Sequence, residues 1–188
     1  MRNIVIFILL LTVCHNVKGQ FIKSTSIKAS VGLGITIPNE DYDINGNGVY
    51  AQGEYVLEVS KWIDLRPYAG FIYTSKDSDD VEDGELEFDV TSRAFLLGGK
   101  IRLTIPIPYV APYFELGAGA SFGSFTTFTP TIFLEKNGVI PHVPITLGLE
   151  LGKSRKVDLA FVYYLQDSVE QVAGAAAIGI SFPLGVSK

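Results

Sequence analysis

The stretch Ala111–Gly123, APYFELGAGASFG, alternates in twos. Phe114, Leu116, Ala118, Ala120 and Phe122 fall on one side. Tyr113, Glu115, Gly117, Gly119, Ser121 and Gly123 fall on the other. Successive strand side chains point to opposite faces, so the stretch is a strand with one apolar face and one small or charged face. A soluble sandwich would bury the apolar face. A membrane barrel would turn it to lipid and keep the other for its lumen.

The rest of the chain repeats the pattern. Alternation predicts eight strands, at 27–36, 49–60, 65–74, 91–105, 111–123, 143–151, 157–166 and 172–182. Each is close to the ten residues or so that cross a bilayer at a tilt. An even count suits a bacterial barrel. The first, third and fifth connections read as long and the second, fourth and sixth as turns, with a short seventh. The fifth is read as an apolar region around 128–142 that rises above the membrane and turns at Asn137-Gly138, a strong hairpin signal.

The distribution of charge fixes which face meets lipid. Lys28, Glu54, Glu58, Arg66, Lys100, Arg102, Glu115, Glu150 and Asp158 all fall opposite the aliphatic face. A Lys or Arg facing hydrocarbon costs about 2–4 kcal/mol at the midplane. The aliphatic face therefore meets lipid, and the nine ionisable residues form a lumenal ion-pair network. Aromatics are expected at the two membrane interfaces, with Trp62, Tyr109 and Phe182 at one end and Phe71, Tyr73, Phe122 and Phe125 at the other. The expected fold is an all-β, eight-stranded antiparallel up-and-down transmembrane barrel.

The 188 residues divide into a leader, 1–19, and a barrel domain, 20–188. Arg2, the apolar run 4–13 and Gly19 have the layout of a secretory signal peptide, which places the N-terminus of the mature chain in the periplasm. Cys14 follows Val13, whereas a lipidation signal wants a small residue there. With the leader removed no cysteine remains, hence no disulfide or thiolate site. The formal charge is −5 and becomes more negative by two when Arg2 and Lys18 leave. Nucleic acid is excluded as a partner, because no basic patch is present to bind phosphates.

The chain resembles the small eight-stranded outer-membrane barrels of the OmpA/OmpX type over about 27–182. The resemblance rests on the leader, the strand count and the Pro112-Tyr113 strand with its Gly117-Ala118-Gly119 run. It implies a monomer in the outer membrane of a Gram-negative bacterium, with lipid and the barrel-assembly machinery as partners. Members of that family end on an aromatic residue that the machinery reads. Here Phe182 is followed by six more residues.

Three features bear on function. Asp41, Asp43 and Asn45 match the start of a calcium loop, but position twelve is Gln52 instead of Glu, so the stretch also reads as a polar turn. The acidic run Asp77, Asp79, Asp80, Glu82, Asp83, Glu85 and Glu87 reads as a solvated loop, with divalent cations or a basic partner as the functional reading. The 128–142 region reads as a hairpin packed on itself, with an unpaired edge that accepts a strand from a partner as the functional reading. Catalysis is not expected. His142 is the one histidine outside the leader, and Val143-Pro144 follows it, which does not suit a lipid-deacylating site. No cofactor is expected. A structural or surface-interaction role with a packed polar lumen is the primary expectation, with a narrow pore or transporter for small solutes as the first alternative and a lipid-modifying barrel enzyme as the second.

Overall fold

In a computed structural model, residues 22–39, 44–76 and 88–186 are described. They form eight strands: β1 (Ser24–Pro38), β2 (Gly46–Glu58), β3 (Ile63–Lys76), β4 (Asp89–Thr104), β5 (Val110–Phe128), β6 (Phe133–Leu151), β7 (Val157–Gln166) and β8 (Gln171–Val186). A 3-10 turn at Asp167–Val169 joins β7 to β8. Each strand pairs antiparallel with its sequence neighbour, and β1 pairs with β8 to close the barrel. The leader, Asp41, Asp43 and the 77–87 acidic run lie outside the described residues.

Registry defines the shape. The chain of paired residues from Tyr73 runs through Val49, Leu33, Ala176, Phe161, Leu147, Phe114 and Leu103, and returns to β3 at Ile63, ten residues from its start. With eight strands, that stagger tilts them about 40° to the axis, and the interior is just wide enough for side chains to fill it.

The aliphatic face is on the outside. Val31, Leu33, Phe95, Leu97, Ile101, Leu147, Phe161 and Ile178 are all about half exposed or more. On the outward side of the described strands, ionisable residues occur only toward the long-loop end: Asp89 and Arg93 of β4 and Glu135 of β6. Arg93 lies over the Tyr73 ring, 5.0 Å from its centre, at the upper margin of the apolar belt. Trp62, Tyr109, Phe182, Phe71, Tyr73 and Phe122 are outward and exposed. Phe125 departs from the interface expectation: it is 1% exposed, because its parity along β5 turns it into the barrel.

Two corrections concern the fifth connection. It is a four-residue turn, 129–132, closed by Thr129 N–H donating to the Ile132 carbonyl at 2.8 Å. The Thr129 hydroxyl also accepts from Ile132 N–H at 3.0 Å. Asn137-Gly138 is no turn: it lies within β6, paired with Ser124 and Gly123. Gly138 has φ +120°, which its missing Cβ permits without bending the strand back. Strand therefore replaces the long loop expected there, and β5 and β6 are 19 residues each.

An outward charge deep in the belt should be costly and one above it should not be. Val31→Arg, halfway along β1, is expected to lower stability by about 2–4 kcal/mol in lipid, and Asn137→Arg by under about 0.5 kcal/mol. Urea unfolding of both variants in vesicles checks this.

Candidate functional site

The first candidate is the lumen, whose contents are layered. Toward the end where β1 begins and β8 ends, alternation turns Lys28, Glu54, Arg66, Lys100, Arg102, Glu115 and Asp158 inward, each at most 3% exposed. Glu54 takes Lys100 at 2.6 Å, Arg66 at 3.0 Å and Lys28 at 3.9 Å. Glu115 takes Arg102 at 2.6 Å and Lys100 at 2.7 Å. Asp158 holds Lys28 at 2.7 Å, and Glu150 holds Arg102 at 2.7 Å. The Arg102 guanidinium also lies over the Tyr113 ring, 3.5 Å from its centre. Glu58 stands apart: it accepts from the Ser24 hydroxyl and forms no ion pair among the described residues. Asp64, read from sequence as part of a turn, instead holds Arg66 at 2.7 Å.

A hydrogen-bonded tier follows, and sequence reasoning missed it. The Tyr164 hydroxyl donates to Gln52 Oε1 at 2.5 Å, and Gln52 Nε2 donates to Glu54 Oε1 at 2.7 Å, which joins this tier to the charges. His142 lies in the same tier, 3% exposed. Its Nε2 meets the Tyr68 hydroxyl at 2.5 Å and its Nδ1 meets the Ser121 hydroxyl at 2.7 Å. Gly98 and Gly119, paired across β4 and β5, make room for it. A Cβ on Gly98 would stand 2.6 Å from the Tyr68 oxygen, and one on Gly119 would strike Tyr68 and His142. The sequence signal for this tier is parity. His142 falls on the same face as Thr146 and Gly148 once β6 is extended upstream.

Above this tier the filling is mainly apolar, where a polar lumen was expected throughout. Ile72, Leu96, Phe125 and Ile140 are at most 1% exposed, and Val169 of the 3-10 turn caps them. The Thr127 hydroxyl anchors that cap by donating to the Val169 carbonyl at 2.7 Å. Ser121 and His142 make a hydroxyl–imidazole pair, but at 0% and 3% exposure they sit where a substrate has no approach.

The second candidate rises above the barrel. β4, β5 and β6 continue past their neighbours as a three-stranded sheet. β6 pairs with β7 only from Val143, so, among the described residues, 133–142 have a strand partner on the β5 side alone. Phe128 and Phe133 pack at the tip, ring centres 6.2 Å apart. Pro144 accounts for the break in the β5–β6 ladder between Ile145 and His142, since proline has no N–H to donate. Asn45 is exposed just before β2, and the described residues hold no cluster of three or more metal-ligating side chains.

Removing one carboxylate from the charge layer strands its cations. Glu54→Gln is expected to cost about 3–5 kcal/mol. Glu58→Gln, outside the network, should cost less than about 1 kcal/mol. Denaturant unfolding in detergent distinguishes the two.

No family model matches the sequence, and no curated protein sequence matches it. Solved structures do resemble the fold. The Neisserial surface protein A, NspA, aligns over 84% of this chain and 95% of its own with a TM-score of 0.56 at 9% identity. Ail, the attachment invasion locus protein of Yersinia pestis, aligns over 86% and 99% with a TM-score of 0.48 at 18% identity. The N-terminal barrel domain of Pseudomonas aeruginosa OprF aligns over 86% and 99% with a TM-score of 0.49 at 9% identity. At these identities the likeness is one of fold. Together with the outward aliphatic face and the filled, charged interior, it gives this chain the architecture of the small eight-stranded outer-membrane barrels.

Proposed function

We propose that the chain is an integral outer-membrane barrel with a surface-interaction role, and that it recruits an extended segment of a partner protein onto the open edge of β6. The mature termini lie on the periplasmic side and the protruding sheet outside. The supporting observation is the edge itself: residues 133–142 lack a strand partner on one side, among the described residues. A partner strand adds main-chain hydrogen bonds there, and alternate side chains set its specificity. Pro141 sits toward the base of this edge and blunts it, which confines strand addition to the part above. The exposed Phe133 and Val139 offer apolar contact, and Glu135 and Lys136 give the edge both signs of charge.

The barrel below acts as a rigid mount. Its filled lumen supports a structural part instead of conduction, and the burial of Ser121 and His142 supports a role without catalysis. A porin-like reading has no observation in its favour, since Ile72, Leu96, Phe125 and Ile140 fill the long-loop half of the lumen.

Two measurements test this reading. The purified barrel in a planar bilayer should show no single-channel conductance, and discrete openings would restore the pore. For the edge, Glu135→Pro removes a backbone donor, while Glu135→Thr keeps it. Partner capture from a surface-protein extract, identified by mass spectrometry and repeated with the isolated partner, should fall at least tenfold in Glu135→Pro and be retained in Glu135→Thr. Equal capture by both variants would remove the strand-addition role.

A further inference from the structure

At the end opposite the protruding sheet, the barrel opens into a vestibule of about 370 Å³. That volume lies within the range of small-molecule sites, about 300–1,000 Å³. Its floor is the outer side of the charge layer, formed by Asp64, Arg66 and Glu150, and its walls come from the 59–62 and 152–156 turns and the paired ends of β1 and β8.

The lining sorts into spent and unspent groups. The three carboxylates are already engaged: Glu58 by the Ser24 hydroxyl, Asp64 by Arg66 and Glu150 by Arg102. The cations of the rim are not. Lys61, Arg155 and Lys156 have no acidic partner among the described residues, and Arg155 makes only a long contact, 3.4 Å, to the Ile107 carbonyl. Four hydroxyls of the wall, on Ser26, Thr104, Ser154 and Ser181, have no side-chain hydrogen bond among the described residues. The Ser60 oxygen accepts from the Trp62 and Ile63 N–H groups, which leaves its own proton to donate. Among the described residues no aromatic ring lines the space.

Unpaired Lys and Arg beside Ser and Thr hydroxyls form the donor set that takes phosphate oxygens. Asp64 and Glu150 are paired with Arg66 and Arg102 below, so Glu58 is the one lining carboxylate without an ion pair among the described residues, against the three cations Lys61, Arg155 and Lys156. We propose that the vestibule binds the phosphate group of an organic phosphate ester. Lys61, Arg155 and Lys156 supply the charge, and the wall hydroxyls hydrogen-bond the phosphate oxygens and the polar remainder of the ligand. The space is larger than inorganic phosphate needs, which favours an ester. A soluble ester and the headgroup of a membrane phospholipid both carry this chemistry.

The test uses the chain refolded in a zwitterion-free, non-ionic detergent. Glycerol 3-phosphate, dihexanoyl phosphatidylglycerol and glycerol are each titrated by calorimetry. Both phosphates, or one of them, should bind at least tenfold more tightly than glycerol. Tighter binding of the free ester identifies a soluble ligand, and tighter binding of the lipid identifies a headgroup. Lys61→Gln with Lys156→Gln should weaken that binding at least tenfold, and Lys136→Gln, at the other end of the barrel, should not. Both lysines are exposed and outside the charge layer, and an unchanged gel-mobility shift on heating shows that the variant is folded. Absence of heat from both phosphates overturns the proposal, as does equal binding by the double variant.

Discussion

In hydrocarbon a backbone N–H or C=O without a partner costs several kcal/mol, and no water is present to supply one. A sheet there must close. The β1–β8 pairing, which runs from Ser24–Val186 to Pro38–Gln171, is therefore the contact on which the rest of the structure depends. Eight strands and a stagger of ten fix the radius. The radius leaves room for side chains and nothing more. Small residues must then sit where large ones cross, as Gly98 and Gly119 do beneath Tyr68 and His142.

Closure also forces the charges together. The apolar belt excludes ionisable groups from the outside, so those on the strands turn inward, where an isolated charge is costly. Four cations and five carboxylates resolve this by sharing. Lys100 bridges Glu54 and Glu115, and Arg102 bridges Glu115 and Glu150, so most charges have more than one neighbour of opposite sign. The hydrogen-bonded tier extends the arrangement: Gln171 donates to Gln166 at 3.0 Å, Gln166 to Ser121 at 2.9 Å, and Ser121 meets His142. A connected polar system runs from the 3-10 cap to the charge layer, beside the apolar filling.

The strands and their faces were legible because parity is local. β7 matches the sequence reading residue for residue, 157–166. Partners were not legible. Parity places Lys28 and Asp158 on one face, but only the stagger around eight strands brings their side chains within 2.7 Å, from β1 and β7 across β8. Glu58 shows the limit: it has the right parity but stands too near the mouth to join the network, while Asp64 on the facing strand reaches Arg66. The Asn137-Gly138 signal misled for a different reason. A glycine that tolerates positive φ serves a turn or an extended strand equally, and the cross-strand partner Gly123 favours the strand. Moving the turn to 129–132 carried His142 from an expected loop into the lumen.

Above the membrane the demand for closure lapses, because water satisfies an open edge. β5 and β6 stay paired out to Phe128 and Phe133, apart from the break at Pro144, while β7 stops at Gln166. An edge that lipid would not tolerate is thus left without a strand partner among the described residues. The opposite end follows the same logic with the opposite result. There the connections are short turns, and the cations Lys61, Arg155 and Lys156, without acidic partners among the described residues, line the opening. One barrel thus presents two chemically different ends: main-chain donors and acceptors on one side, and cations with hydroxyls on the other. Between them the lumen is filled by the ion-paired layer, the hydrogen-bonded tier and the apolar side chains Ile72, Leu96, Phe125 and Ile140.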